Sequence, residues 1–361
     1  MTVAFGFISL QDLFNQRVVT AGPKRVFEAV ERSAAEYSRV VNELLREFAE
    51  PTTDCQIQVE LPGDGSLQPL DADGNPLPVA PSGSYTVAFP IQGGGTAWGT
   101  NRVSRAKLTV DDANRNTLDA LQKDADWNIR HMLAAVFDNV AWTYKDLTGA
   151  NGSKGLGNVT VQPLANGDAV TYIRRGNAAP ATDNHYLAQL NAIDDTNNPF
   201  ETIEAELLEH PSNTGDILCY INKSLKADVI ALATFKSVAD PNIAYTTTET
   251  ARNVPDVGPG EEVIGYIEGT KCWVVLWEGG MPDDYILAKM AGKAILKARD
   301  HAEPELQGFF PEFAKVDGNH FVNRMLRYRG YGVHDRVGAC VMRIGNVAYA
   351  IPSGYDAPLP A

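Results

Sequence analysis

From Thr109 to Thr148 neither glycine nor proline interrupts the chain. Apolar side chains fall at Leu118, Leu121, Ala125, Ile129, Met132, Leu133, Val136, Val140 and Tyr144, in steps that line one face of an α-helix. Thr109 stands where an N-cap belongs, and Asp111 and Asp112 follow at the positive end of the helix dipole. The pattern predicts one helix over residues 109–146. At about 1.5 Å per residue it would reach roughly 55 Å, more than the width of a small domain. A chain built around such a rod has to be elongated.

The segment before it divides in two. Residues 24–49 predict a second helix, with Phe27, Val30, Ala34, Tyr37, Val41, Leu44 and Phe48 on one face and Pro51 marking its end. Arg39 and Glu43 lie one turn apart on another face. Residues 52–106 change period. Ile57, Val59 and Leu61 alternate with polar residues, as do Tyr85, Val87, Phe89 and Ile91. The turn sequences Gly63-Asp64-Gly65 and Asp73-Gly74-Asn75-Pro76 lie between them. This predicts a long two-stranded hairpin. An isolated hairpin is marginally stable at best, so it needs a surface to lie on, and a neighbouring subunit is the expected one. Trp98 near its base reads as an interfacial anchor or a local packing residue. Arg102 and Arg105 read as partners for a neighbour's carboxylates or as solvated charges. Phe27, Tyr37 and Leu44 complete the candidate inter-subunit contacts.

Downstream the pattern is mixed. Strands are expected at Val159–Val161, Asp216–Ile221, Val263–Ile267, Cys272–Trp277, Tyr285–Ala288, Tyr328–His334 and Gly338–Ile344. Helices are expected at Phe200–Leu208 and Leu225–Phe235, and a Thr-, Pro- and Gly-rich loop at 241–260. The class is α+β, with no internal repeat.

Motifs that carry chemistry are missing from the sequence. None of the six histidines stands four residues from another, so no H-E-x-x-H pattern arises, and each reads as a surface or packed residue. Gly93-Gly94-Gly95 is followed by Thr96 and lacks the Gly-Lys-Ser/Thr of a phosphate loop; flexible hairpin backbone is expected there. Asp71-x-Asp73-x-Asn75 imitates a calcium loop, but Pro76 stands at its sixth position and Ser82 at its twelfth, so a turn is expected. The four cysteines are far apart and form no C-x-x-C; reduced, partly buried thiols are expected. A formal charge of -14 opposes a phosphate grip. No stretch is long and apolar enough for a membrane helix. The expectation is no catalytic residue, no cofactor and no metal ligand.

The order of arm, long hairpin, long helix and mixed domain resembles the Hong Kong 97-type major capsid protein of tailed bacteriophages. Local sequences add to the resemblance: Arg105 to Asp112 at the start of the long helix, Ile264 to Val275 and Met281 to Ala288 as axial-domain strands, and Arg327 to His334 with Cys340 to Gly345 as closing strands. The resemblance implies an N-terminal arm with a helix (1–51), an extended hairpin loop (52–106), a spine helix and peripheral domain (107–222), an axial domain (223–325), and return strands with a C-terminal tail (326–361). It implies a structural protein that assembles with itself in pentamers and hexamers into an icosahedral shell. That shell would enclose double-stranded DNA without binding it specifically. It also implies a virion location after assembly in the host cytoplasm, a separate scaffolding protein, a portal and room for a decoration protein, with no membrane partner. Some members of that family weld the shell through a lysine on the extended loop. Here no lysine occurs between Lys24 and Lys107, so that cross-link is not expected. Two alternatives stay open: the shell of an encapsulin-like nanocompartment, and a soluble enzyme with a scattered carboxylate site.

Overall fold

The computed structural model of the chain describes residues 6–61, 70–75, 83–101, 106–146, 157–176, 178–238, 254–255, 257, 261–316 and 320–359. The expected loop at 241–260 falls largely outside them.

Helix α1 spans Pro23–Leu45. It starts where Gly22 takes φ 99°, with Pro23 supplying the preset first helical residue. Val26, Val30, Ala34, Tyr37, Val41 and Leu45 are buried. It ends four residues before the expected limit, because Ala49–Thr52 (β1) pairs in parallel with Leu296–Asp300 (β2), and the residue before Pro51 is steered away from helical backbone. Phe48, just past the helix, stacks on Trp277 at 5.5 Å.

Helix α2, Val110–Phe137, is the spine. Thr109 and Asp112 form a reciprocal capping box. The helix stops nine residues short of the expected 146, so its length is about 42 Å. Its last carbonyls are taken by tyrosines: Tyr186 Oη donates to Val136 O and Asp138 O, and Tyr349 Oη donates to Phe137 O. Asp138 is extended and buried, and its carboxylate accepts from the amides of Val140 and Ala357. Trp142–Asp146 (β3) is a strand paired with Gly157–Val161 (β4). Val140 and Tyr144 continued the helical spacing, but the alternation Trp142, Thr143, Tyr144, Lys145 is a strand pattern that the neighbouring strand rewards.

Gln56–Leu61 (β5) pairs with Gly83–Ala88 (β6) in the expected hairpin, Ile57 opposite Val87 and Val59 opposite Tyr85. The chain then enters Gln92–Asn101 (β7), antiparallel to the long strand His320–Val333 (β8). The three glycines are therefore ladder residues, a correction to their reading as flexible backbone. A Cβ at Gly94 would come within 2.9 Å of the Trp127 ring on the spine, so glycine lets strand and helix approach. On its other flank β8 pairs with Phe309–Val316 (β9) and with β2.

The second sheet has seven strands: Phe235–Ser237, Glu262–Ile267, Cys272–Leu276, Ile217–Ile221, Tyr285–Met290, Ala339–Ile344 and Tyr186–Gln189, in that order. Its central strands are buried throughout, as continuous apolar runs require when both faces are covered. Ile217, Cys219 and Ile221 face helices α3 (Pro199–Leu208) and α4 (Lys223–Ile230). Leu218 and Tyr220 point to the opposite core shared with the spine and α1. Helix α4 is shorter than expected, because Phe235–Ser237 is drawn into the sheet edge. This sheet combines strands from both sides of the divisions at 222/223 and 325/326.

Candidate functional site

The hairpin strand β5 has no buried residue, while the root of the hairpin is buried and held by side-chain contacts. Along β5 the side chains of Gln56, Gln58 and Glu60 are exposed, and those of Ile57, Val59 and Leu61 are only half-buried. At the root Val87, Ala88 and Phe89 are fully buried. Arg299 donates to the Phe89 carbonyl at 3.1 Å and lies 3.5 Å from Asp146. Arg336 lies over the Tyr85 ring at 5.5 Å, donates to Pro163 O at 2.8 Å and pairs with Asp168 at 2.8 Å. Tyr85 meets Tyr172 edge-on at 6.5 Å. A ribbon fixed at one end and half-uncovered along its strands presents apolar side chains to a second surface.

The sequence-stated contact residues fall differently. Phe27 is half-buried on α1, and Trp98 is half-buried on β7, packed against the main core. Tyr37 is only 4% exposed and meets Phe309 at 6.3 Å. It packs within its own chain. Arg102, Arg105 and the side chain of Leu44 lie outside the described residues. The Asp71 turn is as expected: its carboxylate accepts from the amides of Asp73 and Asn75.

A cluster that sequence reading missed lies beside the hairpin root. Asp183, His185 and His210 are all buried, and one ligand atom from each falls within 4.8 Å of the others. Asp183 is the third residue of the strand Ala181–Asn184, His185 precedes Tyr186–Gln189, and His210 follows α3. The two Nε2 atoms are 3.2 Å apart. Asp183 Oδ2 is 2.7 Å from His210 Nε2 and 3.5 Å from His185 Nε2. Glu209 Oε1 stands 3.8 Å from His210 Nε2, and Arg174 reaches Glu209 at 3.1 Å. Burial and the neighbouring Asp183 charge push Glu206 up to about 7. Burial opposes ionisation of Asp183, yet contact with both imidazoles holds its carboxyl well below the usual range. The one sequence signal was Asp183-x-His185, two residues apart on an extended segment and so on one side of it.

The sequence matches no protein-family model and no curated protein. Solved structures do resemble the fold. A chain from Mycobacterium phage Patience aligns over 99% of this chain and 98% of its own, with a TM-score of 0.66 and 20% identity. A chain from the mature capsid of bacteriophage PhiM1 aligns over 82% of this chain and 84% of its own, at 0.48 and 7%. A chain from a virus-like particle of Pyrococcus furiosus aligns over 88% and 99%, at 0.41 and 10%. Aligned with the Patience chain over nearly the full length of both, this protein has the mixed α+β fold of Hong Kong 97-type phage capsid proteins.

Proposed function

We propose that this chain is the major capsid protein of a tailed phage, copies of which close into the icosahedral shell around a double-stranded DNA genome. The observation that carries this reading is the likeness to the phage Patience chain over nearly the full length of both. The half-uncovered hairpin on an anchored root supports it physically, because a shell subunit needs an arm that reaches its neighbour. The formal charge of -14 suits an inner surface that lies near DNA without holding it.

In this reading the extended loop expected at 52–106 reaches an adjacent subunit through its paired strands Gln56–Leu61 and Gly83–Ala88, while Gln92–Asn101 stays in the sheet of its own chain, and residues 107–222 form the spine and peripheral domain. Residues 223–325 form the axial domain at five- and six-fold positions, and residues 326–361 return. Shared sheet pairing supports counting Ile217–Ile221 and Ala339–Ile344 with the axial unit. Phe27 and Trp98 remain candidate contacts between subunits. A separate scaffolding protein and a portal complete the assembly in the host cytoplasm, and the role is structural, without catalysis.

The test is expression of the full chain, with negative-stain electron microscopy and light scattering of the soluble fraction. Closed shells, tubes or capsomer rings are expected, alone or with co-expressed scaffold. A compact monomer under both conditions would sink the reading.

A further inference from the structure

We propose that Asp183, His185 and His210 form a divalent-cation site of the zinc class, a structural staple that goes beyond the shell function. The imidazole orientations come first. His185 Nδ1 lies 2.6 Å from the Ala339 carbonyl, and His210 Nδ1 lies 3.1 Å from the Ile173 carbonyl. A carbonyl only accepts, so both Nδ1 atoms carry the proton. With Nδ1 so held, each ring turns its Nε2 inward, toward the other ring and toward Asp183. A backbone carbonyl holding the far nitrogen is the usual outer shell of a metal-bound histidine.

The spacing follows. Two nitrogens held about 2.05 Å from a tetrahedral zinc are about 3.3 Å apart, and these Nε2 atoms are 3.2 Å apart. Asp183 Oδ2 lies close to both, yet accepts no aligned hydrogen bond from either ring. The three atoms converge on one point. Glu209 Oε1, 3.8 Å from His210 Nε2 and 3.1 Å from Arg174, is placed to approach as the fourth ligand.

Charge favours the same occupant. Asp183 and Glu209 lie beside the two imidazoles, with Arg174 as the cation in ion-pair range of both carboxylates. Two Nε2 atoms facing one another beside a buried carboxylate make a donor set that a cation between them would satisfy. Nitrogen and oxygen donors in a small tetrahedral set suit zinc better than calcium or magnesium, which take six or more oxygens. Bound there, the ion would join the edge of the seven-stranded sheet to the end of α3, beneath the hairpin root.

The full chain is purified without chelator, dialysed, and assayed for metal by mass spectrometry. The metal-free chain is then titrated with Co2+ while visible absorption is followed. About one zinc per chain and tetrahedral Co2+ bands are expected. Zinc is expected to raise the melting temperature, and His210→Gln and His185→Gln to lower Co2+ affinity by more than about 100-fold. The wild-type measurements need no variant, so a substitution that misfolds leaves the test intact. A wild-type chain that retains no zinc and gives no Co2+ bands would overturn the site and leave a protonated His–Asp pair in its place. Bands that persist when both histidines are replaced would overturn it as well.

Discussion

Arg327 on β8 grips Asp124 on the spine through two parallel hydrogen bonds, Nε to Oδ1 at 2.6 Å and a terminal nitrogen to Oδ2 at 2.8 Å, with both side chains almost wholly buried. Asn128 extends the network, donating to Asp124 and accepting from the Tyr331 hydroxyl. The pair fixes the register of the spine against the five-stranded sheet. Removing one partner of a buried pair strands the other, at a cost of about 3–5 kcal/mol. Arg327→Met should lose that much in chemical denaturation of the unassembled chain, and the double variant with Asp124→Leu should recover most of it. Equal losses in both would remove the pair from this role.

The approach of β7 to the spine makes a second prediction. Gly94→Ala places a methyl 2.9 Å from the Trp127 ring, and Trp127→Leu in the same chain should relieve it. At Gly330 a Cβ would overlap the backbone carbonyl of Pro90 at 1.2 Å, and no side-chain change can move that atom aside. Gly330→Ala should therefore abolish soluble expression in every background, while the Gly94→Ala defect is rescued. Soluble yield separates the two cases, and the melting temperatures of Gly94→Ala with and without Trp127→Leu measure the rescue.

His131 predicts a pH dependence. Burial first, and the nearby Arg130 charge second, bring its pKa down to about 4. In the unfolded chain it titrates near the ordinary value of about 6.5. Between these values the unfolded state binds the extra proton, so stability rises with pH. The full contribution is present above about pH 6.5 and is lost as pH falls toward 4. Replacing it by phenylalanine, which keeps the packing on Trp127 at 4.0 Å, should flatten the stability profile in that window relative to wild type.

The lysine gap predicts a simple gel result. With no lysine between Lys24 and Lys107, the hairpin has no amine to form an isopeptide bond. Assembled particles boiled in detergent should run as single chains, and ladders of covalent multimers would contradict this.

The two long helices were legible because each has a local signal: the capping box at Thr109 and the preset start at Pro23. The end of the spine was not. Val136, Val140 and Tyr144 keep a helical step, and what stops the helix is a set of hydroxyls from Tyr186 and Tyr349, far along the chain. The same limit hid the histidine cluster. His185 and His210 stand on separate elements, and only the folding of α3 against the sheet edge brings their rings together. Strands such as Phe309–Val316 escaped notice because their partners, and not their own alternation, define them. The extended-loop class was legible because the period of the sequence changes at residue 52 and changes back at the spine.

The ten-residue strand β7 leaves the hairpin root and runs beside β8 over its whole length. Ladder hydrogen bonds lie across the strands. A pull on the hairpin therefore enters β7 along its axis and strains all the rungs together, in shear. The same force applied sideways would peel them one at a time. A neighbour that draws on the hairpin along β7 would therefore meet the chain in its stiff direction.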